Sequence, residues 1–397
     1  MSVASGPLIS SAGLVLCIDP ANVNNFSVWP NNYYTNGSFQ GGTNVSPEGG
    51  HNPTNTIVTL LNPGDSGWVL QQSNLGSQQY TEYEIDLSSQ LTSSTTYCMS
   101  GWYAQSANYS GDARMFHARA FSSSGNNIAT GVGTGTAIVT TTVNSVNWSY
   151  VYQTIDTPSD YSNNFNWYVG YGGDNYSGYR YYTNLKFDKG TFPALIDQTR
   201  SGRFTVSYGP ISFNTSNAGC LNFNGSSTYM LIADSSTLTS TSALTIDVWI
   251  NSTDIVTRYN EIIGKGSSDG DEEYCLLAGT GSIYFDVGSG TGPYTQPSYT
   301  FSNNTWYNIT AVHSRTSGTS TCTVYVNGVA LSGTTVGATN APGDNSIAVS
   351  VGRRFYNSDP NGRTFNGKMG PIRIYNIALS GSEILQNFNA MRGRFGI

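Results

Sequence analysis

Charge is scarce in this sequence: Asp, Glu, Lys and Arg together make up 10% of its residues, and the formal net charge is −7. The longest basic cluster is Arg353-Arg354. A nucleic-acid or anionic-membrane surface needs a basic stripe, so neither partner is expected. No run of about 18 apolar residues occurs, which excludes a membrane-spanning helix, and the first ten residues, MSVASGPLIS, lack the basic and apolar parts of a secretion signal. Histidine is limited to His51, His117 and His313, at spacings that fit neither a zinc site nor a Ser/His/Asp triad. The five cysteines, Cys17, Cys98, Cys220, Cys275 and Cys322, form no CxxC pair. An odd, scattered set of this kind reads as buried core thiols in a protein folded in a reducing compartment, with no disulfide expected.

Glycine and tyrosine are abundant, at 45 and 27 residues. Aromatic and β-branched runs separated by Gly, Asn, Ser and Asp clusters suit many short strands joined by tight turns. The fold class expected is all-β. At 397 residues the chain exceeds one ordinary core, which stops growing near roughly 250 residues, so two domains are expected.

The second half patterns most clearly. In ALTIDVWI, Leu244, Ile246, Val248 and Ile250 alternate with Thr245, Asp247, Trp249 and Asn251, the period of a strand with one buried face. In TCTVYVNGVAL, Cys322, Val324 and Val326 point one way, and Asn327-Gly328 supplies the positive φ angles of a two-residue hairpin. Strands at such close spacing predict an antiparallel sandwich. One short helix is expected at the C-terminal end. Ser380 and Glu383 have capping-box spacing, Ile384, Leu385 and Phe388 form an apolar stripe, and Gly393 is placed to end it.

The segments GCLNFNGSSTYMLIADSSTLTSTSALTIDVWI, IIGKGSS, NNTWYNITAVH, VYVNGVALSG, SVGRR and FNGKMGPIRIYNIALSGSEILQNFNAMRGRFGI resemble, in this order, laminin-G-like domains of the concanavalin A-like lectin/glucanase superfamily. The closing stretch and the early GLVLCIDPANVNNF also resemble virion proteins of tailed bacteriophages. That early segment stands far ahead of the remainder, which implies an insertion. The expected organisation is therefore two antiparallel β-sandwich (jelly-roll) domains, one inserted in the other. Residues 1–30 plus 191–397 form the laminin-G-like domain, and residues 31–190 form an inserted domain. NNYYTNGSFQGG, TTYCMSGWYAQ, VNWSYVYQTI and YRYYTNLKFDKGTFPAL in the insert resemble carbohydrate-binding modules.

The resemblance implies a non-enzymatic, lectin-like protein of the virion surface, folded in the host cytoplasm and adhering to host glycans. A structural decoration, cement or tail-assembly protein that binds only other virion proteins remains the alternative. A homo-oligomer is expected in either case. Glucanases of the superfamily place three carboxylates on an ExDxxE strand. The nearest string here, Glu84-Ile85-Asp86-Leu87-Ser88-Ser89, ends in serine and lies in the insert, so hydrolysis is not expected.

Sugar recognition stacks aromatic faces on pyranose C–H surfaces, with polar side chains around the rim. Residues 167–182 hold the densest such mixture in the chain. Trp167 and Tyr181 read as core. Tyr176 and Tyr179, in the Gly-rich GGDNYSGYR, read as exposed and glycan-binding, with Asn175 and Arg180 as donors beside them. Trp102, Trp148, Trp249 and Trp306 read as packing residues. No cofactor is required. The acidic Asp269, Asp271 and Glu272 could hold a calcium ion or simply form a solvated hairpin tip. Laminin-G-like domains often place a calcium ligand where this chain has Asn224 to Thr228 and Pro371, and those residue types fit it poorly.

Overall fold

A computed structural model describes residues 9–20, 54–60, 68–73, 83–86, 88–110, 116–125, 127–133, 136–169, 177–195, 199, 205–240, 242–266, 272–288, 292–340, 343–354 and 363–397. Strands dominate, every described ladder is antiparallel, and one α-helix stands at the C-terminal end. The chain divides into two compact units, Met1–Asn25 with Leu195–Ile397, and Phe26–Ala194. No described helix is long and apolar enough to cross a membrane.

In the first unit, one sheet is organised around the long strand Asn366–Tyr375. Ala243–Ser252 pairs along one edge of it. The other edge is shared end to end: Cys220–Asn224 pairs with residues 366–369, and Leu14–Ile18 pairs with residues 372–375. The alternation in Ala243–Ser252 works as the pattern requires, with Leu244, Ile246, Val248 and Ile250 all at 1% exposure or less. The opposite face of that strand is buried too. Trp249 stacks on Phe395 and Phe388 of the helix, with ring centroids 4.3 and 5.8 Å apart. Asn327 and Gly328 take φ values of 51° and 78° between Thr319–Val326 and Val329–Ala330, forming the hairpin that Asn-Gly dictates.

The helix spans Gly381–Phe395 and starts with the reciprocal capping box of Ser380 and Glu383. Its end differs from the sequence expectation. Gly393 lies within the helix, and Gly396, at φ 73°, is the left-handed cap. Residue types permit either glycine, and the packing of Phe395 against Trp249 decides it by holding another turn in place. Leu385 is also corrected: the buried stripe is Ile384, Asn387, Phe388 and Phe395, while Leu385 is exposed.

The second sheet of this unit runs, in spatial order, through Thr205–Tyr208, Tyr229–Ile232, Val349–Val351, Asn260–Lys265, Tyr274–Gly279, Ser282–Val287 and Tyr294–Thr295. It carries the site described below.

The unit Phe26–Ala194 contains a six-stranded and a four-stranded sheet. Its core is aromatic. Phe187 meets Tyr97, Phe165 and Trp167 at centroid distances of 5.4, 5.3 and 5.6 Å. Trp102, Trp148 and Trp167 are fully buried here, and so is Trp249 in the first unit. Trp306 is half-buried and donates its indole N–H to Asn217 Oδ1 at 3.0 Å. All five cysteines are buried thiols.

Candidate polar and aromatic pocket on the seven-stranded sheet

Strand alternation sorts the middle of the second sheet into two faces. Ile283, Phe285 and Val287 point inward and are fully buried, which sends Tyr284 and Asp286 to the opposite face. The register places Tyr284 beside Leu277 and Asp286 beside Cys275. One strand further on, Glu261 is opposite Leu277 and Gly264 is opposite Cys275, with a bulge between Glu261 and Ile263. Gly264 matters because an added Cβ would come 2.7 Å from Glu261 Oε1. The missing side chain makes room for the glutamate.

This face opens into a pocket of about 320 Å³, lined by Tyr259, Glu272, Leu277, Tyr284, Asp286, Gln296, Arg354 and Arg363. Its volume lies at the lower end of small-ligand sites. The polar groups are held in place. Tyr259 and Ser282 hydroxyls are 2.7 Å apart, and Gln296 Nε2 donates to both, at 2.9 and 3.2 Å. Tyr284 donates its hydroxyl to Asp286 Oδ2 at 3.1 Å. Glu272 is ion-paired to Arg354, and both are buried. Cys275 donates its thiol to Glu261 Oε1 at 3.2 Å.

Burial dominates the electrostatics. It pushes the Glu261 carboxyl up to about 8, against partial relief from Arg354. Burial, with Glu272 nearby, pushes Asp286 up to about 7. Tyr284 is raised by burial and then by Asp286. Burial alone would also raise Tyr259. Hydrogen bonds from Ser282, Thr280 and Gln296, with the charge of Arg363, outweigh it and hold that hydroxyl below its usual value. Arg354 is kept charged because the surrounding acids outweigh its own desolvation.

The residues singled out from sequence are placed differently. Asn175, Tyr176, Asp269 and Asp271 lie outside the described residues. Tyr179 is exposed, at 41%, and begins the strand Tyr179–Lys189 rather than sitting in a loop. Its ring lies 6.2 Å from that of half-buried Tyr181. Arg180 is corrected: it follows Tyr179 in the same strand, so its side chain takes the other face and is 1% exposed, away from any ligand that Tyr179 meets. Glu272 is corrected as well. Its carboxylate is buried against Arg354, not presented on a solvated calcium loop.

The region where laminin-G-like domains often bind calcium does not fit a cation. Asn224 Oδ1 accepts from the amides of Ser226, Ser227 and Thr228 and from the Thr228 hydroxyl, at 2.9 to 3.1 Å. That oxygen is already saturated by donors, and Pro371 has no side-chain oxygen to add. Among the described residues no three His, Cys, Asp or Glu side chains are grouped as a metal site.

The sequence reading did not select Glu261, Tyr284 or Asp286 as site residues. A signal was present: Tyr284 and Asp286 alternate with Ile283 and Phe285, which puts a tyrosine and a carboxylate side by side on the outward face.

Comparison with known proteins shows what this chain is similar to. No curated protein matches the chain. Among solved structures, the receptor binding domain of botulinum neurotoxin type G is 14% identical, with 49% of this chain and 48% of that one covered and a TM-score of 0.39. The binding domain of Paraclostridial Mosquitocidal Protein 1 is 14% identical, with 49% of each chain covered and a TM-score of 0.40. The botulinum neurotoxin serotype D binding domain is 16% identical, with 50% and 49% covered and a TM-score of 0.40. The matched region spans about half the length of these structures. A profile of the concanavalin A-like lectin/glucanases superfamily, of the laminin G type, matches residues 224–385, a stretch that includes every residue lining the pocket. Over that stretch the chain has a laminin G-like domain of the concanavalin A-like lectin/glucanase type.

Proposed function

We propose that this chain is a non-enzymatic, lectin-like protein of a tailed-bacteriophage particle, and that its laminin G-like domain binds a host saccharide in the Tyr259–Tyr284 pocket. The observation that carries the binding reading is the pocket lining. Two tyrosines and Leu277 offer apolar surface, while Gln296, Asp286 and Arg363 offer hydrogen-bonding groups of both kinds. A pyranose needs this mixture, an apolar face for its C–H surface and fixed polar groups for its hydroxyls. The phage context rests on the likeness of the first strand and the closing helix segment to virion proteins of that class. Location on the virion surface, assembly with other virion proteins and a homo-oligomeric state follow from that context.

The test is glycan-array binding followed by titration calorimetry with purified host surface polysaccharide. A stacking aromatic contributes on the order of 1 to 2 kcal/mol, so Tyr284→Ala should weaken binding roughly tenfold. If Tyr284→Ala and Tyr259→Ala both leave binding intact, the pocket is not the site. If no glycan binds and the chain still incorporates into particles, the structural alternative replaces the lectin reading.

A further inference from the structure

Asp286 has one carboxylate oxygen engaged and one without a partner. Oδ2 accepts the Tyr284 hydroxyl at 3.1 Å. Oδ1 is buried and has no hydrogen-bond partner. The residue is only 6% exposed, yet it lines the pocket. An acceptor removed from water without a donor is unfavourable, and a carboxylate more so, unless a ligand completes the site.

We propose that the pocket recognises the protonated amine of an amino sugar, received by Asp286. This rests on reading the pocket as a saccharide site, and it specifies the saccharide class. The charges around Asp286 favour an ammonium over a hydroxyl. Glu272 adds negative charge nearby, and Arg354, the cation on that side, is ion-paired to Glu272. Tyr284 from the same strand, and Cys275 and Tyr294 opposite it on the flanking strands, are its other neighbours. None of these is cationic, and Arg363, which lines the same pocket, acts with its charge on Tyr259 and Glu261. A sugar hydroxyl would satisfy Oδ1 but leave the negative charge uncompensated, whereas an ammonium does both.

Because burial holds the Asp286 carboxyl near 7, the proposal has a pH signature. An ammonium ligand binds the ionised carboxylate, so affinity rises as pH increases toward 7, up to the pH at which the amine releases its own proton. A neutral sugar gains nothing from that ionisation.

The experiment is calorimetric titration of the full chain with the 2-amino-2-deoxy, 2-acetamido and 2-hydroxy forms of one methyl hexoside, in gluco and galacto configurations. At pH 7 the amino form should bind at least tenfold more tightly than the 2-hydroxy form. Lowering the pH to 5.5 should remove roughly tenfold of its affinity, the loss expected when a carboxyl titrating near 7 becomes protonated. Asp286→Asn should erase both effects. Equal affinity for all three forms, or an amine preference that survives Asp286→Asn, overturns the amine inference while leaving the saccharide site standing. Failure of every form to bind overturns both. The wild-type pH profile decides the question even if the variant does not fold.

Discussion

Asp19 and Arg394 lie 375 positions apart, and Arg394 Nη1 is 2.9 Å from both carboxylate oxygens of Asp19. The pair fastens the end of the strand Leu14–Ile18 to the last turn of the helix Gly381–Phe395. Arg394 also donates to the carbonyls of Asn217 and Gly219, so one guanidinium ties three distant segments of the same unit together.

Removal of the two partners should therefore have unequal effects. Asp19→Ala loses one partly exposed ion pair and should cost about 1 kcal/mol. Arg394→Ala also abandons two backbone carbonyls and its contact with the Phe395 ring, and should cost about 2 to 3 kcal/mol. Urea unfolding of the two variants checks this. Equal losses would show that the carbonyl contacts contribute nothing.

A deeper pair predicts a larger effect. Arg373 Nη1 is 3.0 Å from Asp247 Oδ2, with both side chains almost entirely buried. Asn308 and Thr310 donate to Asp247 Oδ1 at 2.6 and 3.2 Å. Arg373→Met leaves a buried carboxylate without its cation and should cost about 3 to 5 kcal/mol, whereas the double change Asp247→Leu, Arg373→Met should recover a large part of it. Thermal unfolding of the three variants tests the coupling. A double variant no more stable than Arg373→Met counts against it.

These pairs show how far the sequence could be read. Alternation in ALTIDVWI placed Leu244, Ile246, Val248 and Ile250 on the inner face, and Asn327-Gly328 and Ser380/Glu383 fixed a hairpin and a helix start, because each signal is local. Asp247 in the same segment looked solvent-facing by that alternation. It is buried because the helix and Arg373 cover the outer face of the strand, a tertiary fact with no local signature. The pocket stayed hidden for the same reason. Glu261, Asp286 and Arg354 come from separate segments, and only the register of neighbouring strands joins them.

Stability should vary with pH through Glu261. Its carboxyl titrates near 8 in the folded protein and near 4.5 in an ordinary exposed setting. Between those values the folded state keeps a proton that the unfolded chain has released, so stability is complete below about pH 4.5 and declines as pH rises through 8. His313 acts in the opposite direction. Burial, then Arg315, lowers it to about 4, so its contribution is lost as pH falls from about 6.5 toward 4. Melting temperatures from pH 5 to 9 should fall on the alkaline side in the wild type and fall less in Glu261→Gln. Parallel curves would remove Glu261 as the cause.

The unit Phe26–Ala194 offers a separate aromatic surface for testing. Tyr179 is exposed and its ring lies 6.2 Å from that of Tyr181, which is half-buried two residues along the same strand face. The backbone around Tyr179 is well fixed: its amide donates to Ser106 Oγ at 2.8 Å, and its carbonyl accepts from the Ser106 amide at 2.9 Å. Gly178, at φ 81°, permits this approach, since an added Cβ would meet Ser106 Oγ at 2.6 Å. A rigidly presented tyrosine suits either stacking on a sugar or burial against a neighbouring subunit. If this surface binds glycan, the Tyr176→Ala, Tyr179→Ala double variant should lose at least tenfold in affinity for host surface polysaccharide, with little change in melting temperature. If it packs against a virion partner, the same variant should bind polysaccharide normally and fail to incorporate into particles. Measuring affinity and incorporation on one preparation assigns the surface, and wild-type behaviour in both assays would leave these tyrosines with neither role.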